Sequence, residues 1–253
     1  LRPDLDMSFK GVVAITVLSF VFFFDFTNGA DSCATKIAKT VDFNFKTYNS
    51  ETQNYLLTTP RPEYHFIPDD FLKPGTEGIF VGKAEDIREF VEEAFEKIFD
   101  EKYPPEIKIS VIDEKQFRKL APHPGTVGLS LNRQKQGLLS EIFVLNDSVA
   151  RVMLTIGHEL GHVLTETLEN KHDEEAKAYA FSLHWMKIIK EHNIANLSDA
   201  IVTERPADNG LHNIAFFFVE KLKKEGKKVG EIYKGLVNRL ISAKETSFFT
   251  TPL

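Results

Sequence analysis

The chain of 253 residues is 42% hydrophobic and 27% charged, with both signs mixed, which excludes a disordered or low-complexity polypeptide and leaves enough apolar surface for a core. A net charge of -6 argues against nucleic acid as a partner, because phosphates are bound by clustered Lys and Arg. Cys33 is the only cysteine, so an internal disulfide is excluded.

Gly11 to Phe24 is an uncharged apolar run of 14 residues, preceded by Lys10 and followed by Asp25. It falls short of the roughly 20 residues a spanning helix needs and matches the hydrophobic part of a secretory signal. Met7 would start such a signal, and the small or polar residues Thr27 to Ala30 offer cleavage after Ala30. The expectation is export, with the product secreted or membrane-anchored. The competing readings are an uncleaved anchor, giving membrane association through residues 11–24, and a buried helix.

Val41, Phe43 and Phe45 alternate within Thr40 to Tyr48 and predict a strand, which Tyr55 to Leu57 continues. Residues 58–78, rich in Pro and Gly, read as loop. Ile87, Phe90, Val91, Ala94, Phe95 and Ile98 follow helical spacing and predict a helix over Ala84 to Asp100, ended by Pro104-Pro105. A strand over Glu106 to Ile112, a helical turn over Glu114 to Leu120 and a turn at 123–129 leading into a second strand come next. Leu138 to Leu145 predicts a third strand. Asn146 or Asp147 then caps a long apolar helix. Beyond Glu169 the pattern is helical throughout: Asp173 to Glu191, Ser198 to Thr203, Gly210 to Glu225 and Val229 to Ala243. Strands first and helices last predict an α+β fold. Lys221, Lys223, Lys224, Lys227 and Lys228 read as a solvated helix end.

The apolar helix carries His158-Glu159-Leu160-Gly161-His162. Residues four apart share a helix face, so His158 and His162 present their rings toward one point, as a tetrahedral zinc ion requires. Glu159 projects beside them, able to take a proton from a water at the metal but poorly placed as a ligand. Gly157 and Gly161 leave room for close packing near the metal. A catalytic zinc takes three protein ligands, and His172-Asp173-Glu174-Glu175 is the rich downstream supply. Glu175 is the preferred third ligand, because it opens a helix whose Ala178, Phe181 and Leu183 can pack on the motif helix. Glu174, one residue off that face, is the alternative. Acidic residues also favour helix starts with no metal at all.

With these residues in place the chain resembles the gluzincins, zinc peptidases with two histidines from HExxH and a glutamate from a following helix. Glu175-x-x-Ala178-Tyr179-Ala180-Phe181-x-Leu183 is similar to the glutamate helix of anthrax-lethal-factor-like peptidases, and the short gap from His162 to Glu175 is similar to that of minigluzincins. The resemblance covers roughly residues 105–190. It implies a zincin-like fold with a small twisted sheet, a zinc cofactor, and endopeptidase activity on protein or peptide substrates. On this reading residues 1–30 are signal or anchor, 31–104 an N-terminal β/α segment and 105–253 the metallopeptidase domain. The tyrosine that assists the oxyanion in lethal-factor-like enzymes has no match; His212, His184 and Tyr179 are the substitutes to consider. A latent or inactive peptidase-like binding or sensing protein is the second reading, and a structural protein with a chance motif the third.

Overall fold

A computed structural model describes residues 65–243 apart from 77 and 212. The expected signal, the strands at 40–48 and 55–57, Cys33 and His212 lie outside the described residues. Those described belong to the second of two compact units of the chain, Tyr48–Leu253. They form an α+β arrangement of six α-helices and a small mixed sheet.

Strand β1 (Phe80–Val81) pairs antiparallel with β5 (Asp147–Ser148) in a two-stranded ribbon. The main sheet has the order β2-β4-β3. β2 (Ile107–Ile112) runs parallel to β4 (Ser140–Leu145), and β3 (Gly128–Leu131) pairs antiparallel with β4. Alternation along these strands sorts side chains between two faces. Ile142 and Val144 point into the main core, while Leu129 and Leu131 join Phe117 and Ala121 in a smaller cluster on the other side. That second cluster is covered by α2 (Glu114–Leu120), whose first turn is capped by the Asp113 carboxylate accepting from the Gln116 amide at 2.8 Å.

Helix α1 (Arg88–Phe99) is preceded by a 3-10 turn at Ala84–Asp86, where the Asp86 carboxylate accepts from the amides of Gly82 and Lys83. Thus the single helix expected over 84–100 is two pieces. The motif helix α3 (Val149–Val163) buries thirteen of its fifteen residues. Its N-cap is Ser148, making no side-chain capping bond, rather than Asn146 or Asp147. The reason is that Asp147 is occupied in β5, accepting from Arg151 at 3.3 Å and from the Ser148 amide at 2.6 Å. Helix α4 (Lys171–His192) is capped by Asn170, which accepts from the amides of His172 and Asp173.

Two glycines let α3 and α4 touch. A Cβ on Gly157 would stand 2.3 Å from the Trp185 ring, and one on Gly161 would stand 2.7 Å from the Ala178 Cα. Trp185 also donates its indole N–H to the Met153 carbonyl at 2.9 Å. Helices α5 (Ile214–Lys224) and α6 (Val229–Val237) pack on α4 from outside. The lysine run lies at the exposed end of α5 and the turn after it. The expected helical segment at 198–203 is turn and bridge instead: Ile201 pairs with Leu72, and the Val202 amide donates to the Phe71 carbonyl at 2.8 Å.

Candidate metal centre

His158 and His162 leave α3 on the same face, and Glu175 reaches them from the first turns of α4. Their potential ligand atoms all lie within 4.8 Å of one another. The three side chains converge without satisfying each other. His158 Nε2 and Glu175 Oε2 are 3.7 Å apart, and both His158 Nδ1 and Glu175 Oε2 are buried with no hydrogen-bond partner among the described residues. Buried polar atoms are rarely left so. Two imidazoles and a carboxylate converging with lone pairs unused form a donor set that suits a divalent cation.

The two histidines are held by different means. The His158 ring is stacked on Phe66, with centroids 4.4 Å apart and planes 12° apart, and meets Tyr179 edge-on at 5.1 Å. The His162 ring is tied at Nδ1 to Glu174 Oε1, 2.8 Å away, which leaves Nε2 as its free nitrogen. The other Glu174 oxygen accepts from the Leu168 amide at 2.7 Å and sits 3.0 Å from Lys177 Nζ. Glu174, the alternative third ligand, is therefore spent on orienting His162 and does not belong to the converging group. Such an outer carboxylate fixes the ring and tautomer of a ligating histidine.

Electrostatics favour positive charge here. Burial by itself would lower the His162 pKa, but the hydrogen bond it donates to Glu174 and the charges of Glu175, Glu174 and Glu159 outweigh it and carry it up to about 9. Burial likewise works against the Glu174 anion, yet His162 and Lys177 hold its pKa below the ordinary carboxylate value. Three carboxylates thus face two imidazoles and one lysine, a surplus of negative charge that a bound cation offsets.

Glu159 is buried at 7% exposure and stands against the edge strand. A Cβ on Gly128 of β3 would lie 2.5 Å from Glu159 Oε1 and 2.6 Å from Thr155 Cγ2, so only glycine admits the carboxylate in this place. The loop after β3 is fastened to the end of α3. Asn132 Nδ2 donates to the carbonyls of His162 and Thr165 at 2.7 and 2.6 Å, and Gln134 Nε2 donates to the Val163 carbonyl at 2.9 Å. These bonds satisfy carbonyls that every helix end leaves open.

The described part of the stretch 58–78, which the sequence predicts as loop, supplies a wall from residue 65 onward. Phe66 is buried on His158, and a 3-10 turn at Pro68–Phe71 is anchored by Arg151, whose Nε donates to Asp69 at 2.8 Å. His65 lies against His123 with ring centroids 4.3 Å apart, and burial, then His123, lower its pKa. The His123 loop is gathered by Arg118, which donates to the carbonyls of His123 and Thr126 at 2.8 Å each and of Pro124 at 3.1 Å. A cavity of about 210 Å³ lies beside this wall, lined by Phe66, Pro68, Val127, Leu145, Arg151 and Thr155 among others. Of the proposed oxyanion groups, His184 packs against Gly230 of α6, whereas Tyr179 stands at His158 with its hydroxyl kept protonated by burial. Phe66, Gly128 and Glu174 escape a reading of the motif alone, because each contributes through a tertiary contact.

Comparison of the chain with protein-family models, with curated proteins and with solved structures finds no match.

Proposed function

We propose that the protein is a zinc-dependent endopeptidase of gluzincin type, with His158, His162 and Glu175 holding the metal and Glu159 acting as general base. The observation that carries this reading is the convergence of those three ligand atoms within 4.8 Å, with Glu159 next to His158 on the same helix. Zinc, when bound, supplies Lewis acidity to a water and to the scissile carbonyl. The Glu159 carboxylate accepts a proton as the water oxygen bonds to the carbonyl carbon. It then delivers that proton to the amine as the C–N bond breaks. Gly128 keeps the carboxylate beside the strand, and Phe66 keeps one side of His158 dry. The cavity between Phe66 and Thr155 is a place for one side chain of the substrate. Zinc rather than another divalent ion rests on the donor set of two nitrogens and one carboxylate. Export is part of the same proposal and rests on the run Gly11 to Phe24.

The test is cleavage of a mixed peptide pool, read by mass spectrometry, with zinc content measured on the same samples. Wild type should cut, and Glu159→Ala should keep its zinc and lose at least about a hundredfold in rate. Equal cleavage by the variant would refute the assignment of the base. A wild type that binds zinc and cuts nothing would favour the second reading, a peptidase-like binding or sensing protein.

A further inference from the structure

Lys177 is the only buried lysine among the described residues, with no exposed surface at all, and the chemistry assigned to Glu159 makes no use of it. Its Nζ lies 3.0 Å from Glu174 Oε2, and Glu174 Oε1 lies 2.8 Å from His162 Nδ1. The same Nζ donates to the Glu166 carbonyl at 3.2 Å and reaches the His162 carbonyl at 3.5 Å. One ammonium group therefore ties the end of α3, the turn after it and the first turn of α4 to a single carboxylate. We propose that Lys177 is a positioning residue of the metal centre, acting through Glu174 to fix the ring of His162 so that Nε2 is presented to the ion.

Three observations support this. First, a buried cation close to a divalent ion is unfavourable unless carboxylates outnumber it, and here Glu159, Glu174 and Glu175 do. Second, the Leu168 amide and Lys177 Nζ both meet Glu174 Oε2, at 2.7 and 3.0 Å, so two donors pin that oxygen and the carboxylate turns Oε1 toward His162 Nδ1. Third, His158 has no such partner among the described residues. Its Nδ1 makes no hydrogen bond among them and its ring is held by stacking on Phe66, so the line of charges serves His162 specifically.

This inference rests on the reading of His158, His162 and Glu175 as a metal site, and its test separates the two. Zinc affinity of the full chain would be measured by competition with a chelating dye for wild type, Lys177→Met, Glu174→Gln and the double variant. Each single change should weaken zinc roughly 10- to 100-fold, the usual effect of losing an outer-sphere partner. The double variant should bind no more weakly than Glu174→Gln, because the lysine acts through that carboxylate. It also removes both buried charges together, which preserves folding if Lys177→Met is unstable. A purely structural lysine would lower the melting temperature with zinc affinity unchanged, or its effect would multiply with that of Glu174→Gln; either result overturns the proposal. A second readout needs no zinc. By NMR on the metal-free protein, the His162 Nδ1–H should be protected from solvent exchange in wild type and exchange faster in Lys177→Met, and equal exchange would again overturn it. Wild type without zinc affinity would count against the metal site, while the exchange comparison would still decide the role of Lys177.

Discussion

At the residue scale, Gly128 and His162 carry the sharpest consequences. Gly128→Ala would set a methyl group 2.5 Å from Glu159 Oε1, so the carboxylate has to move. Peptide cleavage should fall by more than tenfold with zinc content unchanged, and stability should drop by about 1–3 kcal/mol as in other overpacked sites. Kinetics and thermal melting of the same preparation check both. For His162, the pKa in the metal-free protein is raised from 6.5 to about 9. A raised basic group stabilises the fold fully below its unfolded pKa, and that contribution is lost as pH climbs through its folded one. The metal-free protein should therefore melt at progressively lower temperature between about pH 6.5 and pH 9. Zinc should bind more tightly over the same interval, since binding displaces that proton. A pH series of melting curves with and without zinc would check the opposite signs. The convergence of the two histidines was legible from spacing, because helical periodicity dictates which residues share a face, and that of Glu175 from the apolar face of the helix it opens. The role of Glu174 was not, since adjacent glutamates look alike until the turn before α4 places one at His162 Nδ1.

At the element scale, the contact between α3 and α4 places Glu175 at the histidines, and two glycines permit it. Gly161→Val would push on the Ala178 backbone and Gly157→Ala on the Trp185 ring, neither of which can yield as a flexible chain end would. Both should destabilise the protein by about 1–3 kcal/mol, with Gly161→Val also weakening zinc because it separates the ligands on the two helices. Denaturant melts and zinc titration would show it. Asn132→Ala should cost about 1–2 kcal/mol, because it strips partners from the carbonyls of His162 and Thr165 at the end of α3. Elements with a clear period were read well: β2 and α2 lie where alternation and helical spacing put them. Those set by pairing were not. Leu138 and Leu139 look like strand residues but are exposed before β4, and the apolar 198–203 segment gives up its helix to bridge Leu72.

At the scale of the whole molecule, one core joins residues from Phe66 to Ala243, with α3 between the sheet on one side and α4 on the other. The order of strands before helices made the α+β class legible. What it left open was the wall over His158, since Pro and Gly in 58–78 signal loop and carry no information about where the loop packs. The buried aromatic group of Phe66, Phe71, Tyr179 and Phe216 supplies that wall. Phe66→Ala should free the His158 ring and cost about 3–5 kcal/mol in stability, a range set by other buried phenylalanines. The proposed chemistry depends on the convergence of His158, His162 and Glu175. Zinc titration of the wild-type chain followed by calorimetry, set beside Glu175→Ala, tests it most directly. Wild type should hold one zinc per chain, and Glu175→Ala should lose more affinity than Glu174→Gln. A wild type that takes up no stoichiometric zinc, or a Glu175→Ala variant that binds it as tightly, would contradict it.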